Sequence, residues 1–208
     1  MRNNVTVTVT FKAGGGQSPA VNTWEALRTA VQDASDGAVI EIANDLTYGF
    51  DSASSIIEVK KNITIKSKGG NTYTLNAGGK GADGGVANPK VIGIFEVKGN
   101  KTLKLEHLML TKAEKYAVYV AQSGSLTMKN VTIKDCKTQY NAAGIYFNKG
   151  KDLTLLENCI IEKCKGKGVQ SSGGIDIEEP TGTVSIKDTT IKDCAAQANG
   201  GGINLYNV

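Results

Sequence analysis

Chemistry-bearing side chains are scarce in this chain. Its 208 residues include one histidine, His107, and two arginines, Arg2 and Arg28. No nucleophile or acid partner near His107 marks it as a general base. The four cysteines include no C-x-x-C pair, so they lack the usual zinc-ligand spacing. No arginine cluster, basic helix or recognition motif points to a nucleic-acid partner. The glycine-rich stretch "SKGGNTYTLNAGGKGADGGVANPK" has no Gly-Lys-Ser/Thr and opens no helix, which excludes a phosphate loop. No run reaches the roughly 18–20 apolar residues that span a bilayer. The Val5–Phe11 alternation is a strand pattern without the apolar core of a secretion signal. Proline is rare at 3 residues beside 25 glycines, which suggests many turns without general disorder.

What the sequence has is repetition. "TIKDC" occurs at 132–136 and again at 190–194, with "IIEKC" at 160–164 between them. A second phrase follows each: "AAGIYF" at Ala142, "SGGIDI" at Ser172 and "GGGINL" at Gly200. Cys136, Cys164 and Cys194 are 28 and 30 residues apart, and Gly144, Gly174 and Gly202 are 30 and 28 apart. Two landmarks at one period mark a structural repeat.

Each unit has strand periodicity. In "SLTMKNVTIKDC", Leu126 and Met128 alternate with polar residues, then Val131 and Ile133 do the same after Asn130. Asn62, His107, Asn130, Asn158 and Asp188 are assigned to the corner between two strands, because Asn and Asp tolerate left-handed backbone. A third strand completes each unit with Ile145 and Phe147, or their counterparts, facing inward. Three short strands cannot close a core alone, but stacked in parallel about 4.8 Å apart they bury a continuous one. The expected fold is therefore all-β, a right-handed parallel β-helix of three sheets. "TWEALRTAVQDA" is the one helical pattern, with Thr23 as cap and Trp24, Leu27, Val31 and Ala34 on one face. Residues 1–36 are expected to form an N-terminal cap of strand plus helix, and residues 37–208 the coils. The chain stops at "GGGINLYNV", inside a repeat, which suggests a piece truncated from a longer protein.

The phrases "NVTIKDC…NAAGIYF", "NCIIEKC…SSGGIDI" and "DTTIKDC…NGGGINL" resemble the right-handed β-helix repeats of bacterial surface proteins. They are similar to the passenger domains of polymorphic outer-membrane proteins and related adhesins of the pectin lyase-like superfamily. The Gly-Gly-hydrophobic element is present at Gly173–Ile175 and Gly201–Ile203, whereas Ile-x-x-Cys stands in place of that family's Phe-x-x-Asn. The resemblance implies a non-catalytic adhesin or binding stalk, at the cell surface or secreted, with its signal peptide outside this sequence. Its partner would be a glycan or a host surface protein. The alternative is a polysaccharide lyase-like enzyme or carbohydrate-binding module with its site partly in further coils. The Asn-Thr-Asp, Asp-Asp and Gly-His-Gly motifs of β-helix hydrolases are absent, and both arginines lie in the cap region.

Candidate binding residues fall in two places. Tyr119 and Tyr146 occupy equivalent outward positions on the third sheet, Tyr206 lies two residues along on a later coil, and Asp176 and Glu178 share that face. Exposed tyrosines there offer flat faces to sugars or a partner protein, or simply stack on each other. With Glu179 the carboxylates are also the one place where Ca2+ is considered; no other cofactor is expected. The second place is the glycine-rich loop Gly78–Pro89, carrying Lys80, Asp83 and Asn88, since projecting loops carry function. Cys136, Cys164 and Cys194 should stack as buried thiols; a disulfide between neighbouring coils and a metal site are the alternatives.

Overall fold

The computed structural model describes residues 21–49, 54–79 and 92–208. The strand expected at Val5–Phe11 lies outside these residues, as do Lys80, Asp83 and Asn88. The described chain coils six times, and each coil contributes one strand to each of three six-stranded sheets. The first sheet stacks Ala38–Ile42, Ile63–Ser67, Thr102–Glu106, Ser125–Lys129, Leu153–Leu156 and Val184–Ile186. The second stacks Leu46–Thr47, Tyr73–Asn76, Leu108–Thr111, Thr132–Lys134, Cys159–Glu162 and Thr189–Lys192. In the third, Ile57–Val59, Phe95–Val97, Val118–Ala121, Ile145–Asn148, Ile175–Glu178 and Ile203–Tyr206 follow one another. Neighbouring strands pair in parallel and in register, so Ile133 sits between Leu110 and Ile161, and Ile145 between Val118 and Ile175.

Alternation explains the core. In each strand every second side chain points inward, where it meets its equivalents one coil away and the inner faces of the other two sheets. Leu103, Leu105, Leu126, Met128, Ile133, Ile145, Phe147, Leu153 and Ile161 are all fully buried. Burial of one such side chain stabilises by about 1.5–3 kcal/mol, and the repeat applies that gain coil after coil.

The corner between first and second sheets is left-handed, with φ of 54° at His107, 52° at Asn130, 61° at Asn158 and 47° at Asp188. Asn62 departs from the expected ladder. It precedes the first-sheet strand Ile63–Ser67, at a different corner, where its N–H donates to Asp36 Oδ1 at 2.7 Å and its Oδ1 accepts the Thr102 N–H at 2.9 Å. "NITIKS" imitates "NVTIKD", but a turn at Lys68–Gly70 and the strand Tyr73–Asn76 follow it and supply the second sheet. A second left-handed position recurs just before each stacked cysteine, at Asp135, Lys163 and Asp193.

The recurrent glycines answer a crowding problem. A Cβ on Gly144 would lie 2.3 Å from the Gly174 carbonyl oxygen, and one on Gly174 equally close to that of Gly202. Only hydrogen fits where these turns stack. Beside them run small extra strands, Lys137–Thr138 with Lys165–Gly166 and Ala195–Ala196, and Asn141–Ala142 with Ser171–Ser172. These widen the turn between the second and third sheets in the last three coils.

The helix α1, Trp24–Asp33, closes the N-terminal end. Thr23 Oγ1 accepts the Ala26 N–H at 3.1 Å, and Trp24, Leu27 and Val31 are buried. Trp24 Nε1 donates to the Ser55 carbonyl at 3.1 Å, and Arg28 donates to the carbonyls of Ile56 at 2.9 Å and Ser54 at 2.8 Å. The cap is thereby fixed to the first coil, where it covers apolar side chains that would otherwise face water.

Candidate binding face

The outer faces of the three sheets differ in chemistry. On the first two, lysine, glutamate and threonine alternate, with ion pairs such as Lys66–Glu41 at 3.5 Å and Lys192–Glu162 at 3.1 Å. Such pairs in water contribute little. The third sheet carries two adjoining rows. Register places Glu58, Glu96, Tyr119, Tyr146, Asp176 and Asn204 in one row, and Ala121, Asn148, Glu178 and Tyr206 in the next.

The rings do not present their faces. Tyr119 and Tyr146 stack at 4.9 Å with planes 11° apart, and Tyr116 meets Tyr119 at 5.3 Å, tilted by 43°. Lys98 Nζ also lies 5.8 Å from the Tyr119 ring centre. The faces that Tyr119 and Tyr146 turn to each other are closed to a sugar ring, and Tyr116 and Lys98 crowd Tyr119 further. Tyr146 is 8% exposed, which corrects the expectation of open tyrosines in a row; Tyr206, at 57%, is the accessible ring of the three.

A hydrogen-bond network crosses the same coils. Tyr146 Oη donates to Glu178 Oε2 at 2.9 Å, and Asn148 Nδ2 bonds both Tyr146 Oη and Glu178 Oε2. Burial, with the charge of Asp176 adding, pushes the Glu178 carboxyl above its ordinary value, against the pull of the Tyr146 and Asn148 hydrogen bonds. Burial also pushes the Tyr146 and Tyr119 hydroxyls up, so both remain neutral donors.

Asp176 faces outward yet is 1% exposed. Its Oδ2 accepts from Ser172 Oγ at 3.0 Å and its Oδ1 from Asn204 Nδ2 at 2.8 Å. The widened turn brings buried Ser172 against the sheet, so the carboxylate is enclosed rather than solvated. With both oxygens engaged in side-chain hydrogen bonds, it is poorly placed as a free calcium ligand. Among the described residues no group of three or more His, Cys, Asp or Glu side chains could hold a metal ion.

At the N-terminal end of the rows lies an open cleft of about 670 Å³, with Glu58 and Glu96 among its lining and Arg28, Gln32, Lys60 and Lys115 around them. Glu96 joins it to the tyrosines, because Tyr116 Oη donates to Glu96 Oε2 at 3.1 Å while Lys98 pairs with Oε1. Lys115 Nζ sits 5.0 Å from the Tyr116 ring centre. This cleft was not legible in sequence, because Arg28 and Lys115 come from elements far apart in the chain. Also missed was the Lys137–Glu114 ion pair at 3.0 Å, whose side chains are only 5% and 8% exposed. A lysine following "TIKDC" gives no signal that a turn will cover it.

Cys136, Cys164 and Cys194 stack on successive coils, all as free thiols. Cys159 is also free and buried, off that stack and opposite Thr189. A family model described as a right-handed beta helix region matches residues 30–178 and 116–208. No curated protein and no solved structure matches the chain.

Proposed function

We propose that this chain, which belongs to the right-handed β-helix family, is a non-catalytic binding stalk that holds an extended glycan or protein segment along its third sheet. A location at the cell surface or outside the cell, as in bacterial adhesins, is part of the same reading, and it rests on the likeness of the repeats. Fold alone does not carry function. The observation that carries this one is the continuity of the outer rows, from the 670 Å³ cleft through the tyrosine–glutamate network to exposed Tyr206. Five steps of about 4.8 Å make a face on the order of 24 Å long, suited to a linear polymer rather than a compact small molecule. Recognition would come from hydroxyl, amide and carboxylate groups held rigidly by neighbouring coils, with Tyr206 as the one open aromatic surface.

The test is retention on a panel of immobilised neutral and acidic glycans and matrix proteins. Tyr206→Ala and Glu178→Gln should each weaken retention of the same ligand about tenfold, while Thr127→Ala on the first sheet leaves it unchanged. Equal retention by all three variants would overturn the assignment to this face. Release of oligosaccharides that disappears in Asp176→Ala would favour the enzymatic alternative.

A further inference from the structure

The stacked cysteines are held face to face by backbone hydrogen bonds. The residue after the second and the third donates its N–H to the cysteine carbonyl of the preceding coil, Lys165 to Cys136 at 2.9 Å and Ala195 to Cys164 at 3.0 Å. The paired strands begin at the next residue and set neighbouring Cα atoms about 4.8 Å apart, inside the roughly 4.4–6.8 Å over which disulfides form; the Cβ atoms must close from that spacing to roughly 3.5–4.5 Å. The three thiols are not equivalent. Cys136 and Cys164 Sγ each donate to a carbonyl of their own coil, Lys134 and Glu162, at 3.4 Å. Cys194 Sγ instead reaches back to the Ile161 carbonyl of the fifth coil at 3.6 Å, and it is the one cysteine that is partly exposed.

We propose that Cys164 and Cys194 form a disulfide when the protein meets a low-molecular-weight disulfide, stapling the sixth coil to the fifth. The Cys194 thiolate attacks one sulfur of that reagent and releases the other as a thiolate. The Cys164 thiolate then attacks Cys194 Sγ and expels the second half of the reagent. Two protein thiols are oxidised, the reagent is reduced to two thiols, and the two protein protons end on them. Cys194 reacts first because it is the one cysteine not buried; Cys164 resolves because it is the cysteine of the adjoining coil, whose carbonyl accepts the Ala195 N–H. Cys136 is left reduced behind Cys164. Cys159 takes no part, since its register partner is Thr189. The inference is independent of any ligand on the third sheet.

The experiment is incubation of the full chain with oxidised glutathione, alkylation, non-reducing digestion and mass spectrometry. The expected product is a Cys164–Cys194 linked peptide pair that survives in Cys136→Ala and Cys159→Ala and is lost in Cys194→Ala. The oxidised wild-type chain should melt several degrees higher than the reduced one, roughly the effect of closing a loop of this length. Glutathione retained on Cys194, a Cys136–Cys164 link, a link between two chains, or no linked peptide at all would each overturn the proposal. The wild-type mapping needs no variant to fold.

Discussion

The two copies of "TIKDC" carry identical residues in different surroundings. Around Thr132–Cys136, in the fourth coil, Ile133 and Cys136 are fully buried between coils on both sides. Around Thr190–Cys194, in the sixth, Ile191 and Cys194 are only partly buried, and the later inward positions Ile203 and Leu205 are 40% and 58% exposed. The difference shows that a rung's burial belongs to its neighbours. In a solenoid each unit draws stability from the unit on either side, so the same phrase is worth less where only one side is covered.

That contrast can be broken by mutation. The largest effect is expected at the inward isoleucines. Ile133→Ala should cost about 2–5 kcal/mol in urea unfolding, and Ile191→Ala less than half as much, because its site is already partly wet. Equal costs would mean that the sixth coil is as well packed as the fourth. The glycines come next. Gly144→Ala places a methyl against the Gly174 carbonyl, whereas a Cβ on Gly202 meets only Ile191 Cγ2 at 3.6 Å, an ordinary contact. The first should destabilise by about 1–3 kcal/mol and the second by little, as measured by thermal melts.

Thiol labelling sharpens the same comparison. In the native reduced chain, Cys194 should react with an aromatic disulfide at least about tenfold faster than Cys136, Cys159 or Cys164, since burial blocks access to the others. Uniform reactivity would show that the coils open together.

The smallest effect is electrostatic. The Glu178 carboxyl is raised in the folded protein, so the folded state holds its proton at pH values where the unfolded chain has lost it. Its contribution therefore improves as pH falls from neutrality through the folded value toward the ordinary glutamate range. Relative to Glu178→Gln, the wild-type chain should gain stability over that interval. Denaturation midpoints of the two proteins at stepped pH check the sign, and a relative loss on acidification would contradict it.

The repeats made much of the fold legible. Strand alternation, the 28- and 30-residue spacings and the recurrent glycines all follow from stacking identical positions, so Ile133, Ile145 and Phe147 could be assigned inward from local pattern alone. Asn62 was misassigned because "NITIKS" has the local pattern of a second-sheet strand. Nothing within those residues reveals that the second-sheet strand of its coil is still to come, at Tyr73–Asn76.

The outer face was legible only as rows. Sequence put Tyr119 opposite Tyr146, and Asp176 and Glu178 on one side of a strand, because register and alternation are properties of the chain itself. Alternation sets which way a side chain points. It does not say what lies over it. The enclosure of Asp176 by Ser172 and Asn204, the burial of Lys137 with Glu114, and the assembly of the cleft from Arg28, Glu96 and Lys115 depend on turns and cap residues that meet only after coiling. Period, inward residues and stacking were determined by the sequence itself, since each is repeated every coil. Exposure and polar partnership were decided by tertiary structure, because they depend on contacts between segments that no local pattern links.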